Sequence, residues 1–224
     1  MQAVGEEEIA LLRDFRGRRD AAAEDLPCET ARRRDERIRV LFVPVADNTF
    51  SVYPIEHPDH ARIMPAFDDT LEVARQLYAN PRFNVVVKPH PTEAKSNRWS
   101  SLPGDWRISH GDVMSWIEWA EVVVCNGTTL ELSALARGKP VVLAGRSILS
   151  NKGIAEEVTK PAELAAAVET AVRSGKDADR RDRFARFLGW LRTENLIFPQ
   201  RDGPSRTRQK LLSQLRDYGL PATT

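Results

Sequence analysis

This 224-residue sequence predicts a Rossmann-like α/β fold, a parallel sheet with helices on both faces. Three observations predict it. Short β-branched runs, such as Val85-Val86-Val87 and Val122-Val123-Val124, are apolar without alternation, as strands buried on both faces are. Segments of helical period alternate with these runs at the βαβ rhythm. The two clearest runs also end abruptly in polar residues, Lys88-Pro89-His90-Pro91 and Asn126-Gly127-Thr128-Thr129. Ligands of open α/β sheets sit at such carboxyl ends.

In chain order, residues 6–24 are highly charged, with Ile9, Leu12 and Phe15 at helical spacing, which predicts a helix. Residues 25–37, with Pro27 and the arginines at 32–34 and 37, predict a linker. Residues 38–45, IRVLFVPV, predict the first strand, 61–78 a helix, 83–88 the second strand and 106–109 a short third one. Asp112 is the expected N-cap of a helix over 112–119. A strand over 121–125 follows, then a helix over 128–137 stopped by Gly138, then a strand over 140–144. Beyond Gly145 the sequence predicts a loop, a short strand near 155–159, a helix opened by Pro161, and two charged helices over 177–193 and 204–217. The expected domains are a charged helix and linker over 1–37, a Rossmann-like domain over 38–175, and a helical extension over 176–224.

Composition narrows the function classes. A net charge of +1 gives no basis for a nucleic-acid partner, and the arginine runs at 32–34 and 180–186 read as solvated surface. Cys28 and Cys125 stand far apart in no metal-ligand spacing, and Cys125 ends a buried run as an inert core thiol. The amino terminus is too acidic and too weakly apolar for a signal peptide, and no apolar run approaches a membrane span. The expectation is a cytoplasmic protein, free or peripheral to the inner membrane.

The candidate chemistry lies at the two strand ends. Prolines on both sides of His90 restrict its backbone and disfavour helix, and Lys88 and His90 alternate with Pro89 on an extended chain. A cation and an imidazole on one side suit a phosphate ester. Gly127 permits close backbone approach, and Thr128 and Thr129 offer hydroxyls beside the free N–H groups of the next helix. The same residues read as an ordinary cap, with Thr128 and Glu131 forming a T-x-x-E capping box. Glu131 has a further reading as a hydrogen-bond partner for ribose hydroxyls. His57-Pro58-Asp59-His60 is an incomplete metal pattern, and His110 marks a turn into a helix. Trp116 and Trp119, at i and i+3, read as core, whereas Trp99 and Trp106 are candidates for stacking on carbohydrate. No G-x-G-x-x-G, Walker A or nucleophile-elbow motif occurs.

VVVKPHP followed by AEVVVCNGTTLELSALARGKPVVLAG resembles the carboxy-terminal nucleotide-sugar domain of the capsule polysaccharide biosynthesis glycosyltransferases. That GT-B family includes transferases of 3-deoxy-manno-octulosonic acid (Kdo) from its CMP-activated form. The resemblance spans about residues 38–195. Bacterial GT-B sialyltransferases and teichoic-acid glycerophosphotransferases carry a similar pairing. The upstream LFVPVADN is similar to the family's L-x-V-P-x-Q-x-x-D region, with Ala46 in place of a glutamine, which weakens a catalytic role for Asp47.

What the resemblance implies is a donor-binding domain for a CMP-sugar, with a lipid-linked or polysaccharide acceptor. Lys88, His90, Pro91, Asn126, Gly127, Thr128, Thr129 and Glu131 would then line one cleft for nucleotide and phosphate. The scheme requires no metal and no cofactor. GT-B enzymes have two Rossmann-like domains and this chain has room for one. The expectation is a fragment, a split enzyme with a partner chain in place of the amino-terminal domain, or a non-catalytic nucleotide-binding module. A UDP-sugar 2-epimerase-like protein is the competing enzyme class.

Overall fold

A computed structural model describes residues 2–14, 36–44, 67–90, 93, 99, 107–109, 111–175, 177–195 and 209. Of the expected helix over 204–217 residue 209 alone is described, as helical, and the first residues of the helix over 61–78 lie outside the described residues. The chain divides into two compact units, Met1–Leu11 with Ala178–Thr224, and Leu12–Asp177.

The larger unit is built on five parallel strands: β1 (Ile38–Val43), β2 (Phe83–Val87), β3 (Val122–Cys125), β4 (Val141–Leu143) and β5 (Glu156–Glu157). Their spatial order is β2-β1-β3-β4-β5. The helices of this unit are α2 (Phe67–Tyr78), α3 (Val113–Trp119), α4 (Leu130–Ala136) and α5 (Leu164–Ser174). Numbering in chain order assigns α1 to Gln2–Asp14 and α6 to Ala178–Trp190.

The strands form where the sequence is β-branched because both faces are covered. Val40, Phe42, Val85, Val87, Val122, Val124 and Val142 join one core with Val73 and Leu77 of α2 and Leu164 and Val168 of α5. Side chains alternate across a strand, so the equally buried Leu41, Val43, Val86, Val123, Cys125 and Leu143 face the other way, toward α3 and α4. The Cys125 thiol, in contact with Glu131 of α4, marks that face. Trp116 and Trp119 of α3 are core residues, in an edge-to-face pair with centroids 5.3 Å apart. Trp99 is buried as well, its indole N–H donating to Glu93 at 3.2 Å, which removes it as a surface for stacking carbohydrate. Trp106 lies outside the described residues.

The strand expected over 106–109 shrinks to one parallel bridge, Ile108 to Val87. Val87 N–H donates to Arg107 O and Ser109 N–H to Val87 O, both at 2.9 Å. A single bridge is what a segment with one apolar residue between polar neighbours sustains at a sheet edge. Counted as a strand, it turns the order into the 3-2-1-4-5-6 of the doubly wound dinucleotide-binding sheet. The helix expected from Pro161 begins as a 3₁₀ turn, Pro161–Glu163, and becomes α-helical at Leu164.

In the smaller unit, α1 packs on α6. Gly5 lies so close to the Ala185 backbone that no side chain fits there. Ile9 is buried, Arg181 pairs with Glu6 at 2.9 Å and Arg192 with Glu8 at 3.6 Å. No helix among the described residues is long and apolar enough to cross a membrane.

Phe42 has no solvent exposure and sits in the strand between β2 and β3. Phe42→Ala is expected to cost about 3–5 kcal/mol of unfolding free energy, read as a lowered urea midpoint with an unchanged slope.

Candidate functional site

Register decides where the two polar loops go. Phe42 of β1 pairs with Val87 of β2, and Val43 pairs with Cys125 of β3. The ladder runs one step further, Lys88 N–H donating to Phe42 O at 2.8 Å. Lys88-Pro89-His90 and Asn126-Gly127-Thr128-Thr129 therefore leave the same carboxyl edge on either side of β1. All strands run parallel, but their order progresses in opposite directions from β1 and from β3, with α2 covering one face and α4 the other, the switch point at which open α/β sheets form their ligand crevice.

The expected residues fall into two sets. His90, Gly127 and Thr129 are exposed and Thr128 is half-buried, whereas Lys88 (7% exposed), Asn126 (5%) and Glu131 (1%) lie beneath them. The His90 carbonyl accepts from Glu93 N–H at 2.8 Å, which closes the turn after the Pro89-His90 step. Pro91 and Asp47 lie outside the described residues, as do His57, His60 and His110. Among the described residues, no group of three or more His, Cys, Asp or Glu is arranged to hold a metal ion.

The capping box does not form. The residue at the cap of α4 is Thr129, in a helical conformation, and its side chain makes no capping bond. The Thr128 hydroxyl instead accepts from Leu130 N–H at 3.3 Å. Glu131 turns inward, where one carboxylate oxygen accepts from the Ser147 hydroxyl and the other from the Cys125 thiol at 3.7 Å. Burial raises its pKa to about 7, against the opposing pull of the hydrogen bonds from Ser147 and Cys125. Burial, then the neighbouring Glu131 charge, pushes the Cys125 thiol well above its usual range, so this cysteine is a poor nucleophile.

Ser147 and Arg146 escaped the sequence reading because they lie in a loop without a motif. The signal available was position, since both follow directly on the β4 run and hence on the same carboxyl edge. Ser147 Oγ accepts from Leu149 N–H at 2.9 Å while donating to Glu131, so β3, α4 and the β4 loop meet at one carboxylate.

Chemically, this edge offers an exposed imidazole, threonine hydroxyls and loop N–H groups around a crevice, a set suited to an anionic ligand. The dipole of α4 adds little, because the helix has only 7 residues.

No family model and no curated protein matches the sequence. Among solved structures, Thermosulfurimonas dismutans KpsC, a beta Kdo 2,4 transferase, aligns with a TM-score of 0.50 at 15% identity, over 82% of this chain and 54% of its own. The architecture is that of one half of a GT-B fold. The spinosyn rhamnosyltransferase SpnG with spinosyn aglycone aligns at 0.45 and 14% identity, over 78% and 45% of the two chains. The beta Kdo 2,7 transferase of T. dismutans KpsC aligns at 0.43 and 19% identity, over 71% and 47%. At these identities the likeness is one of fold, and the chain spans about half the length of each protein.

Gly127 has φ +93°, and a Cβ there would fall against the Arg146 carbonyl oxygen. Gly127→Ala is expected to lower stability by about 1–3 kcal/mol through backbone strain, measured by chemical denaturation. Glu131 predicts a pH dependence. The folded chain keeps its proton up to about pH 7, whereas the unfolded chain releases it near 4.5, so between those values the folded state binds more protons. Stability from this group is full at acidic pH, falls as pH rises through that window, and levels off above it. Relative to Glu131→Gln, the wild type is expected to lose about 2–3 kcal/mol between pH 5 and pH 8 in urea unfolding.

Proposed function

We propose that this chain is the donor-binding half of a glycosyltransferase that uses a CMP-activated sugar, Kdo foremost, in capsular or surface polysaccharide synthesis. One observation carries the reading: the Lys88–His90 and Asn126–Thr129 loops flank β1 at the crevice of a GT-B half-fold. The resemblance around K-P-H-P supports cytidine as the base and Kdo as the sugar.

In this reading Lys88, His90 and the Thr128-Thr129 turn receive the donor phosphate. The acceptor hydroxyl attacks the anomeric carbon, the bond to the phosphate oxygen breaks, and CMP departs with the negative charge. The acceptor proton passes to a base on the acceptor side. Donors already aimed at the phosphate stabilise the charge that develops there without reorganisation. The acceptor, a lipid-linked or growing polysaccharide, is held by a second Rossmann-like domain or a partner chain, in the cytoplasm or against the inner membrane. Asp47 and Pro91 keep the roles that the resemblance implies for them, Asp47 the weaker of the two.

Titration calorimetry with CMP, CDP and UMP tests the donor. CMP is expected to bind more tightly than UMP, and His90→Ala to lose about 1–3 kcal/mol of CMP binding through one charge-assisted or neutral hydrogen bond. Equal CMP binding by the variant removes His90 from the site. A preference for UMP favours the epimerase-like alternative. Binding without transfer, even with an acceptor half supplied, favours the non-catalytic module.

A further inference from the structure

The turn after β3 and the turn after β4 are held together at several points. A Cβ at Gly127 would press on the Arg146 carbonyl oxygen, and a Cβ at Gly145 would meet the Asn126 Cβ at 2.7 Å. Below them, Glu131 takes the Ser147 hydroxyl. Ser147 Oγ accepts from Leu149 N–H at 2.9 Å, and Ser147 N–H donates to Ser150 Oγ at 3.1 Å. Arg146 is the exposed cation between the glycine contact and the serine tie.

We infer that Arg146 binds the donor phosphate beside Gly127, and that Glu131 positions it through Ser147. The inference rests on the donor-site reading above. Lys88 and His90 leave β2, on the β1 side of the Gly127 turn, so they would meet an anion seated there from one side. Arg146 enters from the strand on the other side of β3, with its backbone already against Gly127. The two cationic sides would then bracket the anion. A guanidinium suits the task because its planar fork meets two phosphate oxygens at once. Glu131 serves this arrangement from below, since it is buried and its carboxylate is occupied by protein donors.

The test is calorimetry of CMP and of cytidine, which lacks the phosphate, on the wild type, Arg146→Ala, Arg146→Lys and Ser147→Ala, and on the Arg146→Ala/Ser147→Ala double variant. Arg146→Ala is expected to weaken CMP binding about ten- to a hundredfold and to leave cytidine unchanged, with Arg146→Lys in between. Ser147→Ala is expected to weaken CMP in the wild-type background and to cost nothing further once Arg146 is gone. Thermal melts establish that each variant is folded. CMP binding by Arg146→Ala equal to wild type overturns the assignment of Arg146. Equal and additive losses from Ser147→Ala in both backgrounds overturn the positioning role. Failure of the wild type itself to bind any nucleotide sinks the donor-site reading instead, a result that the variants cannot imitate.

Discussion

β1 hydrogen-bonds to β2 on one side and to β3 on the other, and nearly everything at the candidate site depends on that double pairing. Val43 opposite Cys125 and Phe42 opposite Val87 bring three strands to an end at one level. The amino ends are pinned too: Glu121 N–H donates to Arg39 O at 2.8 Å, and the Glu121 carboxylate accepts from Arg39 N–H at 3.0 Å. A slip of one residue would turn every side chain of a strand to the opposite face. With both faces apolar, the slip would cost packing less than it would misplace Lys88 and Asn126. The polar pins at one end and the ladder bond from Lys88 at the other hold the register against it.

The second constraint is a buried carboxylate. An acid enclosed in the protein is costly unless hydrogen-bonded, and Glu131 meets that requirement with donors from two other segments, Cys125 and Ser147. What holds the acid in place is what holds the β4 loop against the β3 turn. The two glycines allow the approach, because any Cβ at Gly127 or Gly145 would push the turns apart. Backbone geometry and one carboxylate thus make a composite wall from segments about twenty residues apart in sequence.

The sequence misled where several readings fitted the same residues. T-x-x-E before an apolar run describes both a capping box and an acid that turns inward. The outcome depends on whether a partner waits inside, and Ser147, in a loop without a motif, is that partner. The segment around Ile108 reads as a strand by pattern, yet it lies at the sheet edge with one neighbour and keeps a single bridge. Trp99 has a polar neighbourhood in sequence and a buried place in space, because Glu93 satisfies its indole N–H.

By itself the sequence determined the parallel α/β class, the identity of the four principal strands and the direction in which their polar loops emerge. Those are local properties: β-branched runs without alternation form doubly covered strands, and helical periods form the covering helices. Only the tertiary structure decided that β1 lies between β2 and β3, that Ile108 completes the strand order, and that Glu131 faces Ser147 rather than the crevice. These depend on which strand ends are neighbours and on which donors lie within about 3 Å of a buried acid. Contacts between residues far apart in the chain leave no period or spacing in the sequence to read.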